Sequence, residues 1–204
     1  MPVKNIIFDL GKVLVDFSFD NFFRFLGHDP RQRDLSEAND PILSFEAGKI
    51  NKIEFFQRIK KIWDFDISLE QFEFIWCNIF TPIPEMIALA RMIQQNYEIF
   101  IFSNTDELHF PFIWKKFSQL HFFGKNLMLS YKLGAVKPER EAYDRALSSF
   151  SLEAAECIFI DDRSINVDTA VKTGFQGIVH RSFQQTCLEL QELIAWECLP
   201  LAQN

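Results

Sequence analysis

The 204-residue chain has no apolar run approaching the roughly 18 residues that a membrane-spanning helix needs. Two of its uninterrupted apolar stretches, Ile99–Phe102 and Cys157–Ile160, are four residues long, the length of buried strands. It has no basic stripe; the nearest group, Arg58, Lys60 and Lys61, reads as a solvated helix face, and the formal charge is −7. No nucleic-acid partner is expected from that balance. The four cysteines, Cys77, Cys157, Cys187 and Cys198, form no CxxC pair and no zinc spacing. They read as reduced thiols of a cytoplasmic protein. Met1-Pro2-Val3-Lys4, with Asp9 interrupting the apolar stretch behind it, is not the pattern of a signal peptide. There are only seven glycines and no GxSxG, P-loop or GxGxxG. None of the histidines (His28, His109, His121, His180) stands in a metal-pair or triad context, and there is no repeat or low-complexity tract.

What the chain has in excess is phenylalanine, 24 residues, of which twelve lie between Phe17 and Phe80. With 48% apolar and 24% charged residues, the composition excludes intrinsic disorder. The first apolar run, Ile6–Phe8, ends in Asp9-Leu10-Gly11 and reads as a strand followed by a tight turn. From Phe17 to Phe80 the spacing is helical, with no convincing strand. Ser68 and Gln71 have the spacing of a capping box. From residue 83 onward helices and strands alternate. A helix is expected over Glu85–Asn96, a buried strand over Tyr97–Phe102, and another strand over Asn126–Tyr131. A helix should then begin at Pro138 and run through Phe150, followed by a strand over Glu156–Ile160. A helix over Asn166–Lys172 stopping at Gly174, a short strand at Gly177–Val179 and a helix over Thr186–Trp196 complete the pattern. This order predicts an α/β fold, a Rossmann-like parallel sheet with helices on both faces and an inserted all-helical block.

In an open parallel sheet, ligands bind beyond the carboxyl ends of the strands. The apolar runs end in Asp9, in Ser103-Asn104 and in Asp161-Asp162, and Lys137 precedes an expected helix start. Taken singly, each has a plain reading as turn chemistry or a solvated lysine. Together they are a carboxylate, hydroxyl, amide and ammonium set suited to a Mg²⁺ ion and a phosphate. Adjacent carboxylates at a buried edge repel each other unless a cation lies between them.

Ile6–Asp16, Phe102–Thr105, Gly134–Glu139 and Ile158–Asp162, with Asn166, Ala170 and Gly174, resemble the four motifs of the haloacid dehalogenase-like hydrolases. Within that superfamily the chain resembles the bacterial glucose-1-phosphate phosphatase-like branch, with its Asp-Leu-Gly first motif. The resemblance implies a core domain of residues 1–16 and 83–204 and a helical cap of residues 17–82, hinged near Val15–Phe17 and Thr81–Pro84. It implies that Asp9 is the nucleophile and forms an aspartyl-phosphate. Ser103 and Lys137 would hold the phosphoryl oxygens, and Asn104 would contact the substrate. Mg²⁺ would take Asp162 first, then Asp161, with Asp9 and the Gly11 carbonyl, and Asn166 would stand behind them. The implied substrate is a small phosphorylated metabolite, sugar phosphate-like, handled by a monomer or homodimer without membrane or nucleic-acid partners.

Gly11 departs from the pattern, because most phosphatases of the superfamily carry a second aspartate there to protonate the leaving group. Lys12 is a conceivable substitute, with a solvated turn lysine as the plainer reading, and Asp16 reads as structural. In the cap, Glu46–Lys49 reads as a turn, and Lys49 or Arg24 are candidates to face an anionic substrate, with solvated side chains as the plainer reading. Two further readings follow from the gap at Gly11: a phosphate- or metabolite-binding protein with little turnover, and a haloacid dehalogenase. A dehalogenase needs neither leaving-group acid nor metal, so it has no use for Asp161-Asp162. A phosphomutase would need the acid that Gly11 does not supply.

Overall fold

The computed structural model describes residues 2–33 and 35–194. Five parallel strands form one sheet: β1 (Asn5–Phe8), β4 (Glu98–Ser103), β5 (Leu127–Leu129), β6 (Cys157–Asp161) and β7 (Gln176–Val179). Their spatial order is β5-β4-β1-β6-β7. β1 is central because it is apolar on both faces: all four of its residues are buried. Its neighbours are set in register, with Phe8 opposite Ile101 of β4 and Ile160 of β6.

Alternate side chains pass to opposite faces of the sheet. Ile7, Phe100, Phe102 and Phe159 pack against Ala142, Tyr143 and Ala146 of α8 (Arg140–Phe150) and Ala170 of α9 (Ser164–Thr173). Ile6, Phe8, Ile101 and Ile160 face the other way. They meet α5 (Pro84–Ile93), α6 (His109–Lys116) and α10 (Phe183–Leu193). Helices therefore cover both faces.

Among the described residues four α-helices precede α5: α1 (Asp20–Phe25), α2 (Asn39–Glu46), α3 (Lys52–Trp63) and α4 (Leu69–Cys77). The Ser68–Gln71 capping box forms at the start of α4, with bonds of 3.2 and 2.9 Å. The phenylalanines of this block pack on one another. Phe72 is fully buried, stacked on Phe65 and Trp76 and edge-on to Phe22, Phe55 and Phe56. Phe25 and Phe74 are exceptions and lie exposed.

The block is not free of strand. Val15–Phe17 (β2) and Phe80–Pro82 (β3) pair antiparallel where the chain leaves the sheet and returns to it. Three-residue strands are too short to show a period of two. Three other elements differ from expectation. Asn126–Tyr131 is a three-residue strand followed by a helical turn, α7 (Ser130–Leu133). α8 begins at Arg140, so Pro138 lies ahead of it, after a cis Lys137–Pro138 peptide bond. The last helix begins three residues earlier than expected, at Phe183 behind the N-cap Ser182; its expected end at Trp196, like Cys198, lies outside the described residues. Among the described residues Cys77, Cys157 and Cys187 are free and buried, and no helix is long and apolar enough to cross a membrane.

Phe72 sits at the centre of the aromatic cluster, so Phe72→Ala should cost about 3–5 kcal/mol, read as a lower midpoint in urea unfolding. A loss below about 1 kcal/mol would contradict this packing.

Candidate active site

The register of the sheet assembles the site. Asp9 follows β1 directly, and its N–H donates to the Ile160 carbonyl at 2.8 Å, which brings it beside Asp161 at the end of β6. Ser103 ends β4 on the other side of β1. Lys137, on the loop between α7 and α8, reaches under this edge and is 2% exposed. Its ammonium lies 2.9 Å from Asp9 Oδ1 and 2.7 Å from Asp161 Oδ2, and donates to the Phe102 carbonyl at 2.8 Å. Those three acceptors use all three of its hydrogens. Burial alone would make the ammonium easier to deprotonate, but the two carboxylates outweigh it and raise its pKa. For Asp9 the balance differs. Burial pushes its carboxyl up to about 7, opposed by Lys137 and aided by Asp161.

The other residues singled out in the sequence fall around this core. Asn104 accepts from the Lys137 N–H at 2.8 Å and donates to the Lys137 carbonyl at 2.9 Å. Its side chain therefore clamps the lysine's backbone, although it was expected to meet the substrate. Asn166 donates to both oxygens of Asp161 at 2.9 and 3.0 Å, and its own Oδ1 is buried with no partner among the described residues. Asp162 is half-buried, and its carboxyl is raised by burial and by Asp161.

Asp9, Asp161 and Asp162 each offer an oxygen, all within 4.8 Å of one another. With Lys137, three carboxylates and one ammonium leave two negative charges in a poorly hydrated place. A divalent cation with oxygen preference fits that deficit, and a water it carried would supply the donor that Asn166 Oδ1 lacks.

Gly11 is hemmed in. A Cβ built there would lie 3.0 Å from the Phe17 ring, so a side chain at this position would need the ring to give way slightly. Lys12 is ion-paired with Asp16 and donates to the Phe17 carbonyl at 2.8 Å, which occupies both residues. Arg24 pairs with Asp20 on α1, and Lys49 lines a separate cavity beside Tyr131. Neither is among the residues lining the cavity over Asp9.

That cavity, about 380 Å³, is bounded by Asp9, Ser103, Lys137 and Asp162 below and by Leu43 and Glu46 of α2 above. It adjoins an apolar pocket of about 170 Å³ walled by Phe17, Phe19, Trp76, Ile79, Phe80 and Ile113. Glu46 lines both, and burial and Asp106 push its carboxyl up to about 7. In the sequence it was only a turn residue.

A second buried pair also went unread. His109 Nδ1 lies 2.9 Å from Asp106 Oδ2, and Nε2 lies 2.9 Å from the Trp76 carbonyl. Both ring nitrogens face acceptors, so the ring is an imidazolium. Burial opposes that charge, but Asp106 prevails and raises the His109 pKa, while His109 overcomes burial to lower that of Asp106. The i,i+3 spacing of Asp106 and His109 was the available signal.

The carboxyl edge of the sheet, where open α/β folds bind ligands, thus gathers a buried carboxylate, a lysine and a cation-sized carboxylate cluster. The sequence profile of the haloacid dehalogenase-like hydrolases matches residues 3–174, and the chain belongs to that family. Among its relatives is the D-ribitol-5-phosphate phosphatase of Bacteroides thetaiotaomicron, 25% identical over 85% of this chain and 90% of that protein. A sesquiterpene phosphatase of Aspergillus oryzae is 28% identical over 55% of this chain and 58% of that protein. A HAD family enzyme from Bacteroides thetaiotaomicron, crystallised with magnesium and inorganic phosphate, shares the fold, with a TM-score of 0.73 at 21% identity over 88% of this chain and 94% of that one.

Asp106→Asn should destabilise the protein by about 3–5 kcal/mol, because it strands a buried imidazolium. The pair's contribution is complete between the unfolded values of 3.8 for Asp106 and 6.5 for His109. It fades as pH rises through the raised His109 pKa, or falls through the lowered Asp106 pKa. Urea unfolding at pH 5.5 and pH 9 should show the difference between wild type and variant shrinking at alkaline pH; a pH-independent difference would contradict the pairing.

Proposed function

We propose that the chain is a Mg²⁺-dependent phosphatase of a small phosphorylated metabolite that works through an aspartyl-phosphate on Asp9. The contact of Lys137 with Asp9, beside a carboxylate cluster short of two positive charges, carries this reading. The Leu10 N–H, at 2.7 Å, and Lys137 both donate to Oδ1 of the Asp9 carboxylate, which leaves Oδ2 to attack phosphorus. Ser103 lies where its hydroxyl can hold a phosphoryl oxygen. Lys137, with its hydrogens already committed, acts on the phosphoryl group through its charge and opposes the burial that favours a neutral Asp9. Asp162 is the freest ligand for the ion, since Asp161 already accepts from Lys137, Asn166 and the Arg163 N–H. Asp9, Asp161 and the Gly11 carbonyl complete the set. Bound there, Mg²⁺ would neutralise the charge of nucleophile and phosphate as they approach.

The relatives' names support phosphate-ester chemistry, and the carboxylate pair argues against a dehalogenase. The gap at Gly11 is the one observation favouring a phosphate-binding protein with little turnover.

The apolar pocket narrows the organic group. A polyol placed against Phe17, Phe19, Trp76 and Ile113 would leave unpaired, at about 1–3 kcal/mol each, those hydroxyls that do not reach Glu46, Ser103, Asn104, Thr105 or His109 on the same lining. An apolar group loses nothing against that aromatic wall. The pocket's 170 Å³ suits a single ring, since a cavity of about 150 Å³ holds benzene. The substrate is thus a monoester with an apolar, ring-sized group, more than the sugar phosphate that the resemblance implied.

With Mg²⁺ present, benzyl phosphate should be hydrolysed with a kcat/KM at least about tenfold above that for glucose 1-phosphate or ribitol 5-phosphate, a difference of about 1.4 kcal/mol. Asp9→Asn should abolish turnover of all three. A reversed preference would overturn the apolar reading alone, and turnover surviving in Asp9→Asn would overturn the nucleophile.

A further inference from the structure

Breaking a phosphoester bond to an alkoxide requires a proton, and neither Gly11, closed off by Phe17, nor Lys12, engaged by Asp16, provides one. The oxygen that needs it bridges the phosphoryl group and the organic group. It must therefore lie where the cavity over Asp9 meets the apolar pocket. Of the residues lining both, Gly11, Phe17, Leu35 and Ile42 have no ionisable side chain. Asn104 is committed to the Lys137 backbone. Ser103 and Glu46 remain, and a serine hydroxyl does not give up its proton at neutral pH.

Glu46 is also held in place. It ends α2, and the turn after it is clamped to the sheet domain. Gly48 has φ +65°, and a Cβ there would lie 2.4 Å from the Tyr131 carbonyl oxygen. Two turns of chain further on, the Lys52 N–H donates to Glu107 at 2.8 Å. The helical insertion thus sets this carboxyl over the junction by backbone contacts.

We propose that Glu46, rather than a residue of the nucleophile loop, is the proton donor and acceptor of the reaction, a role that rests on the phosphatase reading above. As Asp9 Oδ2 bonds to phosphorus, the phosphorus–oxygen bond to the alcohol breaks, and that oxygen takes the Glu46 proton to leave as the neutral alcohol. Glu46, now a carboxylate, then accepts a proton from the attacking water. The water oxygen bonds to phosphorus, the Asp9–phosphorus bond breaks, and inorganic phosphate departs with Glu46 protonated again. The charged groups facing Glu46 are Asp106 and His109 from the start of α6, Lys137, and Asp9. Burial and the two aspartates favour its neutral form, while His109 and Lys137 oppose it. With its carboxyl at about 7, both forms are populated near neutral pH.

The test compares wild type, Glu46→Gln and Glu46→Asp on benzyl phosphate, whose alkoxide needs the proton, and on 4-nitrophenyl phosphate, whose phenolate does not. Glu46→Gln should lose about 10²- to 10⁴-fold in kcat on benzyl phosphate and the fall in rate that wild type shows as pH rises past neutrality and Glu46 gives up its proton, while the rise that follows ionisation of Asp9 remains. On 4-nitrophenyl phosphate it should keep a burst of one nitrophenol per enzyme and then turn over slowly, because the water is no longer deprotonated. Glu46→Asp, which keeps the acid, should fall between the two. Benzyl phosphate turnover at the wild-type rate in Glu46→Gln would overturn the proposal and leave the phosphatase standing, as would equal losses in the Gln and Asp variants. A wild-type enzyme with neither burst nor turnover on either ester would overturn the phosphatase reading itself, and the proposal with it.

Discussion

The site is organised by a single buried ammonium. Lys137 is a residue type that avoids the interior, and it is held there because three acceptors meet its three hydrogens: Asp9, Asp161 and the Phe102 carbonyl. The rings of Phe102 and Phe159, each with its centroid 5.1 Å away, flank it. Asn104 fixes its backbone from β4, so three adjacent strands and one loop are tied at one point. Such a knot costs desolvation, and its worth is geometric. It keeps Asp9 Oδ1 engaged and sets an ammonium beside the carboxyl. It also leaves the edge short of positive charge by two, which defines what else must bind.

The helical insertion contributes through packing. Its aromatic cluster buries its own face and continues into the apolar side of the sheet, and the pocket forms where those two surfaces meet. His109 fastens the arrangement, stacked on Trp76 with ring centroids 4.9 Å apart and bonded to its carbonyl. The same docking brings Glu46 to the cavity that Asp9 lines. Binding chemistry comes from the sheet edge, while shape and, on our proposal, the proton come from the insertion.

The parts of this that were legible in the sequence share one trait: they are local. Ile6–Phe8 and Cys157–Ile160 read as strands because both faces are buried, and strand ends are where Asp9, Ser103 and Asp161 had to lie. The Ser68–Gln71 box was readable because three residues define it. The β2–β3 ribbon was not, since each strand gains its identity from a partner more than 60 residues away. That Asn104, which lines the cavity over Asp9, also bonds across to Lys137 was not legible either, because nothing local shows a partner so far along the chain. Glu46 and the Asp106–His109 pair were missed for the same reason. Their burial comes from the docking of insertion on sheet, and an exposed-looking turn acid gives no sign of the cavity it will face.

The central claim is that Asp9, Asp161, Asp162 and Lys137 together make a site for a divalent cation. Thermal unfolding with and without Mg²⁺, on wild type and Asp162→Asn, tests it without reference to any substrate. Wild type should gain stability with added Mg²⁺, by about 2.7 kcal/mol at a hundredfold excess over Kd. Asp162→Asn should gain much less, having lost the freest ligand and half of the charge deficit. A wild-type midpoint that does not move with Mg²⁺, or an Asp162→Asn variant that responds as wild type does, would contradict the account.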